Sequence, residues 1–202
     1  MLSERIDQVA ATILEHSPRL VGDGRCVALA TYRLLAAGRP VEVEQISARA
    51  GVDGSEVEPL LGSWPGVFRD DAACVVGFWG LSTRELGPHR LYVDRVELSA
   101  WCAWDTLFLP EVLGRPADVR SRSPLGGDPV ALRVGPERVE HPSPADLVVS
   151  MVPARESEDF IRTFCHQIHL FGSEAILRAT SSRSSPPRSG SPALTARHPR
   201  AA

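Results

Sequence analysis

The run Ala100-Trp101-Cys102-Ala103-Trp104-Asp105-Thr106-Leu107-Phe108 sets a thiol and a carboxyl three positions apart in otherwise apolar and aromatic surroundings. On a helix, positions i and i+3 share a face, so Cys102 and Asp105 are expected to point at one volume. With Trp101 and Trp104 beside it and little water around it, the Asp105 carboxyl is expected to have a raised pKa and to hold its proton near neutral pH. The pair joins a soft nucleophile to a proton carrier. A second thiol, Cys165, lies far downstream in Thr163-Phe164-Cys165-His166-Gln167-Ile168-His169-Leu170-Phe171. Function turns on whether these two segments meet.

An inert, buried thiol is the ordinary state of cysteine. That is the expectation for Cys26, on an apolar helix, and for Cys74, in an apolar strand. Two features set Cys102 apart: the acid at i+3, and a second cysteine flanked by polar groups inside an apolar segment. A carboxylate among aromatics is costly unless it has a function or partners such as Arg or backbone N–H groups, so a structural role for Asp105 stays open. Two converging thiolates without a Cys-x-x-Cys motif suit a soft ion that takes few ligands, whereas zinc takes four. Cys102, Cys165, His166 and His169 offer a zinc set on paper. On a strand, however, His166 points away from Cys165 and His169. The plain alternative for His169 is a half-buried, hydrogen-bonded histidine.

The elements that must position these groups are legible in part. Leu2 to Leu14 has helical periodicity, ended by Ser17-Pro18, and a second helix is expected from about Arg25 to Ala37. Val43 to Val52 reads as a short helix with a Gly turn. Ser55 and Glu58 form a capping-box pattern opening the next helix. Val67-Phe68 and Ala73 to Phe78 read as a wing hairpin turning near Asp70-Asp71. Residues 1–80 are therefore expected to be a winged-helix-like domain. From Leu81 the pattern changes to short strands: Arg90 to Leu98, then Asp118 to Ser121, Val130 to Val134, Leu147 to Val152 and Phe164 to Phe171. The Cys102 helix is expected to stop near Gly114-Arg115-Pro116. Gly126-Gly127-Asp128-Pro129, Gly135-Pro136 and His141-Pro142-Ser143-Pro144 serve as separators. Ser157 to Thr163 suggests one or two helical turns. The fold class is α+β, with a β-rich mixed-sheet domain over 81–173. Residues 174–202 are rich in Ser, Pro, Arg and Ala and are expected to be a disordered tail.

Composition narrows the classes of partner. The chain has 202 residues, 43% hydrophobic and 23% charged, with a net charge of −3, and a pI near 6.1. These are values of an ordinary globular protein, with no basic field to attract nucleic acid or acidic lipid. All 22 basic residues are Arg, which reads as coding bias rather than chemistry. No secretory signal or membrane-length apolar run is evident, so a cytoplasmic location with four free thiols (Cys26, Cys74, Cys102, Cys165) is expected.

Leu98-Ser99-Ala100-Trp101-Cys102-Ala103-Trp104-Asp105-Thr106-Leu107-Phe108-Leu109-Pro110 resembles the active-site segment of the organomercurial (alkylmercury) lyases. Phe164-Cys165-His166-Gln167-Ile168-His169-Leu170-Phe171 resembles that family's second-cysteine segment, in the same order and at a similar separation. The resemblance implies that Cys102 and Cys165 bind mercury and that Asp105 carries the proton. It also implies a helical winged-helix-like domain followed by a β-rich catalytic domain. The implied reaction is protonolysis of a carbon–mercury bond, giving hydrocarbon and Hg(II). Mercury then arrives as substrate and no resident metal or organic cofactor is required. The implied partners are the organomercurial itself and, as Hg(II) acceptors, cytosolic thiols or a mercuric reductase. A monomer that binds neither nucleic acid nor membrane is expected. Ser123 stands where many family members have a further cysteine, and His166 where some have a second thiol. After Ser173 the low-complexity tail replaces helical sequence that closes the domain in the family.

Two other classes compete. A winged-helix, metal-responsive DNA-binding regulator would need a basic recognition helix, and Ser55-Glu56-Val57-Glu58-Pro59-Leu60-Leu61 is acidic. A mercury- or zinc-binding protein without turnover would keep the thiols but not the hydrocarbon release.

Overall fold

The computed structural model describes residues 20–150 and 165–175, together with the isolated positions 11 and 178. The expected helices at Leu2–Leu14 and Ser157–Thr163 lie outside the described residues, apart from position 11, as does nearly all of the expected disordered tail. Within residues 20–150 three helices come first: α1 (Gly22–Leu35), α2 (Val43–Ala50) and α3 (Gly54–Ser63). On α1, Val27, Thr31 and Leu35 recur at i, i+4 and i+8, with Ala28 and Tyr32 alongside, and all are buried. Cys26 falls on the other side of that stripe and is exposed. The expected core thiol is therefore corrected: at helical spacing, Val27 takes the inward position. Cys74 is only partly buried, because it precedes rather than joins the next strand pair.

The start of α3 also differs from the sequence reading. Its N-cap is Asp53, whose Oδ1 accepts from the Ser55 N–H at 2.9 Å and from the Ser55 hydroxyl at 2.6 Å. Ser55 thus serves the cap instead of being it, since aspartate caps as well as serine does.

Eight strands form one sheet in the order β1-β2-β3-β5-β4-β6-β7-β8. They are β1 (Val67–Arg69), β2 (Val75–Phe78), β3 (Leu81–Ser82), β4 (His89–Val93), β5 (Val96–Ala100), β6 (Ala117–Arg122), β7 (Pro129–Val134) and β8 (Val139–Ser143). Every neighbouring pair is antiparallel. The sheet is therefore antiparallel rather than mixed, although two connections pass over a strand: β3 to β4 skips β5, and β5 to β6 skips β4 by way of the helix over Ala103–Leu113. The β1–β2 hairpin, expected as a wing, is part of this sheet, continuous with the strands that follow it.

One expected strand is two. Arg90 to Leu98 turns at Asp94-Arg95, both with positive φ (48° and 71°), and β4 pairs with β5 from Val93↔Val96 outward. Strand β8 runs through a segment expected to be a separator; it is an edge strand with Val139 half exposed, so it carries no buried alternation to read. Phe164 to Phe171 is not one strand either. Cys165–Gln167 is a turn of 3₁₀ helix, and only Leu170–Phe171 (β10) is extended.

One face of the sheet is buried. His89, Leu91 and Val93 on β4, Ala117, Val119 and Ser121 on β6, and Val130, Leu132 and Val134 on β7 all alternate inward. Helix α4 (Ala103–Leu113) is apolar on nearly all sides and lies within this core. At the β2 end, Phe78 joins sheet to helices: its ring lies 4.8 Å from Tyr32 of α1 and 5.7 Å from Trp64, just after α3. Among the described residues no helix is long and apolar enough to cross a membrane.

Phe78→Ala should cost about 3–5 kcal/mol of stability in a denaturant titration, the range for a fully buried aromatic. A loss under about 1 kcal/mol would show that Phe78 does not join the helices to the sheet as described.

Candidate active site

Cys102 is not inside the helix that follows it. It is the N-cap of α4, in extended conformation (φ −143°, ψ 174°). Its backbone N–H donates to Asp105 Oδ2 at 2.8 Å, and its sulfur accepts from the Asp105 backbone N–H. This is a capping box built from Cys and Asp in place of Ser/Thr and Glu. The i, i+3 spacing converges as expected, but by reciprocal capping at the helix start. Gly114, left-handed at φ 65°, stops the helix where the sequence places the stop.

Cys165 is brought to this point by separate contacts. The Ala103 N–H, at the first turn of α4, donates to the Ile168 carbonyl at 3.2 Å, and the Ile168 N–H donates to the Cys165 carbonyl at 3.2 Å. Beyond it, β10 pairs antiparallel with β9 (Val148–Val149). Ser150 adds clamps: its hydroxyl donates to the Gln167 carbonyl and accepts from the His169 N–H, both at 2.9 Å. Ser150 has no chemical signature in the sequence and its part is visible only in the fold.

Cys102 Sγ, Cys165 Sγ and an Asp105 carboxylate oxygen lie within 4.8 Å of one another. Relative exposures are 0% for Cys102, 5% for Asp105 and 8% for Cys165, so bulk water is nearly excluded. Burial pushes the Asp105 carboxyl up to about 6, against the lowering effect of its hydrogen bonds from Cys102. The direction agrees with the sequence reading. The hydrogen bonds from Cys102 act the other way and favour the charged form, so the carboxyl is placed to exchange a proton. The Cys102 thiol is held well above its ordinary range by its hydrogen bond to Cys165, then by burial, then by the charge of Asp105. The centre therefore sets a thiol that holds its proton firmly beside a carboxyl able to exchange one.

The histidines stay apart from this centre. Cys102, Asp105 and Cys165 are the only such group among the described residues, so His166 and His169 do not complete a zinc set. His166 is exposed. His169 stacks with His89 (centroids 6.4 Å apart) and meets the edge of Phe171. His89 is buried, its Nδ1 lies 2.8 Å from Ser121 Oγ, and burial with the nearby His169 and Arg90 lowers it to about 4, which keeps it neutral.

A buried pair of thiols with a carboxylate within reach of both defines a class: a centre suited to soft-metal chemistry coupled to proton transfer. The comparisons name the family. The sequence model of MerB, the alkylmercury lyase family, matches residues 81–193. The alkylmercury lyase of Pseudomonas putida is 37% identical over 150 residues, 74% of this chain and 70% of that protein. Those of Streptomyces lividans (over 139 residues) and Staphylococcus epidermidis (over 141) are each 40% identical, covering 69% and 70% of this chain. This chain covers 64% of the length of each of those two relatives. The crystal structure of the mercury-bound form of MerB2 has the same fold, with a TM-score of 0.67 at 21% identity over 88% of this chain and 85% of that one. The chain belongs to the alkylmercury lyase family.

Ser123 is buried at 2% exposure, and its hydroxyl has no hydrogen-bond partner. An unsatisfied buried hydroxyl costs about 1–3 kcal/mol, so Ser123→Ala should raise stability by about that amount in urea unfolding. A destabilised Ser123→Ala would mean that the hydroxyl is bonded after all.

Proposed function

We propose that this chain cleaves the carbon–mercury bond of an organomercurial by protonolysis, with Cys102 and Cys165 as the two thiolate ligands of mercury and Asp105 as the proton carrier. The observation that carries the assignment is that two sulfurs and one carboxylate converge within 4.8 Å from the two segments that resemble the family's motifs.

The proton inventory closes. The substrate R–Hg–X meets Cys102–SH; sulfur bonds mercury and the proton leaves with X. Cys165–SH gives its proton to the Asp105 carboxylate as its sulfur bonds the same mercury. Two thiolates donate electron density to the metal and raise the basicity of the attached carbon. Asp105 then passes its proton to that carbon as the carbon–mercury bond breaks, giving R–H and bis-thiolate Hg(II). A positioned acid of this kind is worth ~10²–10⁴-fold. Dry surroundings strengthen the transfer and accept an apolar R group.

Mercury enters as substrate and leaves as product, so the reading assigns no resident metal or organic cofactor. Product Hg(II) passes to cytosolic thiols or a mercuric reductase, and the chain works as a monomer in the cytoplasm. The reading divides the chain into a winged-helix-like unit over 1–80, a catalytic unit over 81–173 and a tail. What supports the first is the order α1-α2-α3-β1-β2. Its third helix carries Glu56 and Glu58, with Arg69 paired to Glu58, and offers nothing to a phosphate backbone. Its role in this reading is to cover the site through Tyr32 and Phe78.

Benzene release from phenylmercury in excess thiol should vanish in Cys102→Ala and in Cys165→Ala; substantial turnover by either variant would refute the paired-thiol mechanism. Asp105→Asn should still take up Hg(II) and yet release no benzene. Because Asp105 must start as carboxylate, kcat/KM for the normal protein should rise with pH, reach half its limit near pH 6 and then level off. A rate that falls through that range would assign Asp105 the wrong starting form.

A further inference from the structure

Between β2 and β3 the chain reverses through Trp79 and Gly80, both at positive φ (31° and 91°), as a two-residue hairpin requires. This turn lies against the Asp105 carboxyl. A Cβ at Gly80 would lie 2.6 Å from Asp105 Oδ1, 2.7 Å from its Cγ and 3.1 Å from its Cβ. Side chains do not approach that closely, so only glycine admits the carboxyl at its present place.

The turn is tied down on several sides. The Trp101 N–H, one residue before Cys102, donates to the Gly80 carbonyl at 3.0 Å, and the Trp79 N–H donates to the Gly66 carbonyl at 3.0 Å. The hydroxyl of Tyr32, from α1, donates to the Trp79 carbonyl at 2.8 Å. Tyr32 is itself buried, and its ionisation is opposed by burial and by the charge of Asp105. The ionisable groups facing Asp105 are thus Cys102 and Cys165 from the catalytic segments and Tyr32 from the first helix.

We propose that the Trp79–Gly80 turn, braced by Tyr32, is a positioning element of the reaction: the bare Cα of Gly80 sets where the Asp105 carboxyl sits relative to the two sulfurs. The proposal rests on the protonolysis reading above. Mercury capture needs only the sulfurs, but delivery of the proton to carbon needs the acid in one place. A carboxyl displaced by the added methyl would lose its 2.8 Å bond from the Cys102 N–H and its line to the mercury-bound carbon. The role of Tyr32 is the same at one remove, holding the turn down and water out.

The test compares Gly80→Ala, Tyr32→Phe and the control Gly87→Ala, with mercuric chloride for metal uptake and phenylmercury acetate for turnover. Gly87 also has a positive φ (57°), but a Cβ there meets nothing within 4 Å, so it carries the backbone cost without the clash. Gly80→Ala should bind Hg(II) at the normal stoichiometry while kcat falls ~10²-fold, the scale of a 1 Å misplacement. Gly87→Ala should keep the normal rate. Tyr32→Phe should bind Hg(II), lose several-fold in kcat and show a displaced pH midpoint, which a merely structural tyrosine would not move. Normal rate in Gly80→Ala, or parallel loss of Hg(II) uptake and rate in that folded variant, overturns the proposal. If Gly80→Ala does not fold, Tyr32→Phe decides: a normal rate and midpoint overturn it. Normal protein that releases no benzene would sink the protonolysis reading itself, and this proposal with it.

Discussion

The hydrogen bond from the Cys102 backbone N–H to Asp105 Oδ2, at 2.8 Å, is the contact on which the rest of the site depends. It closes one half of a helix cap, so the folding of α4 and the placing of the acid are one event. It also supplies a donor to a carboxylate that burial would otherwise hold more firmly in the neutral form. The result is a carboxyl that burial pushes up to about 6, which suits the base-then-acid part proposed for it. The start of a helix is a favourable place for negative charge on the Asp105 carboxylate and on the Cys102 sulfur.

Around that cap the fold assembles walls from distant parts of the chain. The second sulfur comes from the 3₁₀ turn at Cys165–Gln167, tied to α4 through Ile168 and to β9 through β10. The turn at Trp79–Gly80 closes the side facing the acid, and α1 holds that turn through Tyr32. In the proposed reaction α1 is thereby coupled to the site through the turn it holds. Near-complete exclusion of water is the common effect, and it strengthens every electrostatic interaction within the site.

How much of this could be read from residues alone depends on the range of the interaction. Cys102 and Asp105 were legible as a pair because the spacing of a helix face and that of a capping box coincide. The convergence of Cys165 follows from no local rule; the resemblance of its segment to a family motif supplied it. The stop at Gly114 was marked by glycine. The Asp94-Arg95 turn was not marked, because Asp94 is followed by Arg and not by the glycine that usually completes such a turn. Strand β8 escaped because an exposed edge has no alternation to show. Cys26 was misplaced by one position on a helix, which exchanges inside for outside. Nothing in the sequence singles out Gly80, since its neighbour across space, Asp105, cannot be seen along the chain.

The central claim is that one mercury ion ends between Cys102 and Cys165 with its carbon gone. X-ray absorption at the mercury edge, on protein that has turned over one equivalent of phenylmercury, measures this directly. Two sulfur ligands and no carbon are predicted for the normal protein, and one protein sulfur for Cys165→Ala. A single sulfur, a surviving carbon ligand or a histidine nitrogen in the normal protein would contradict the account.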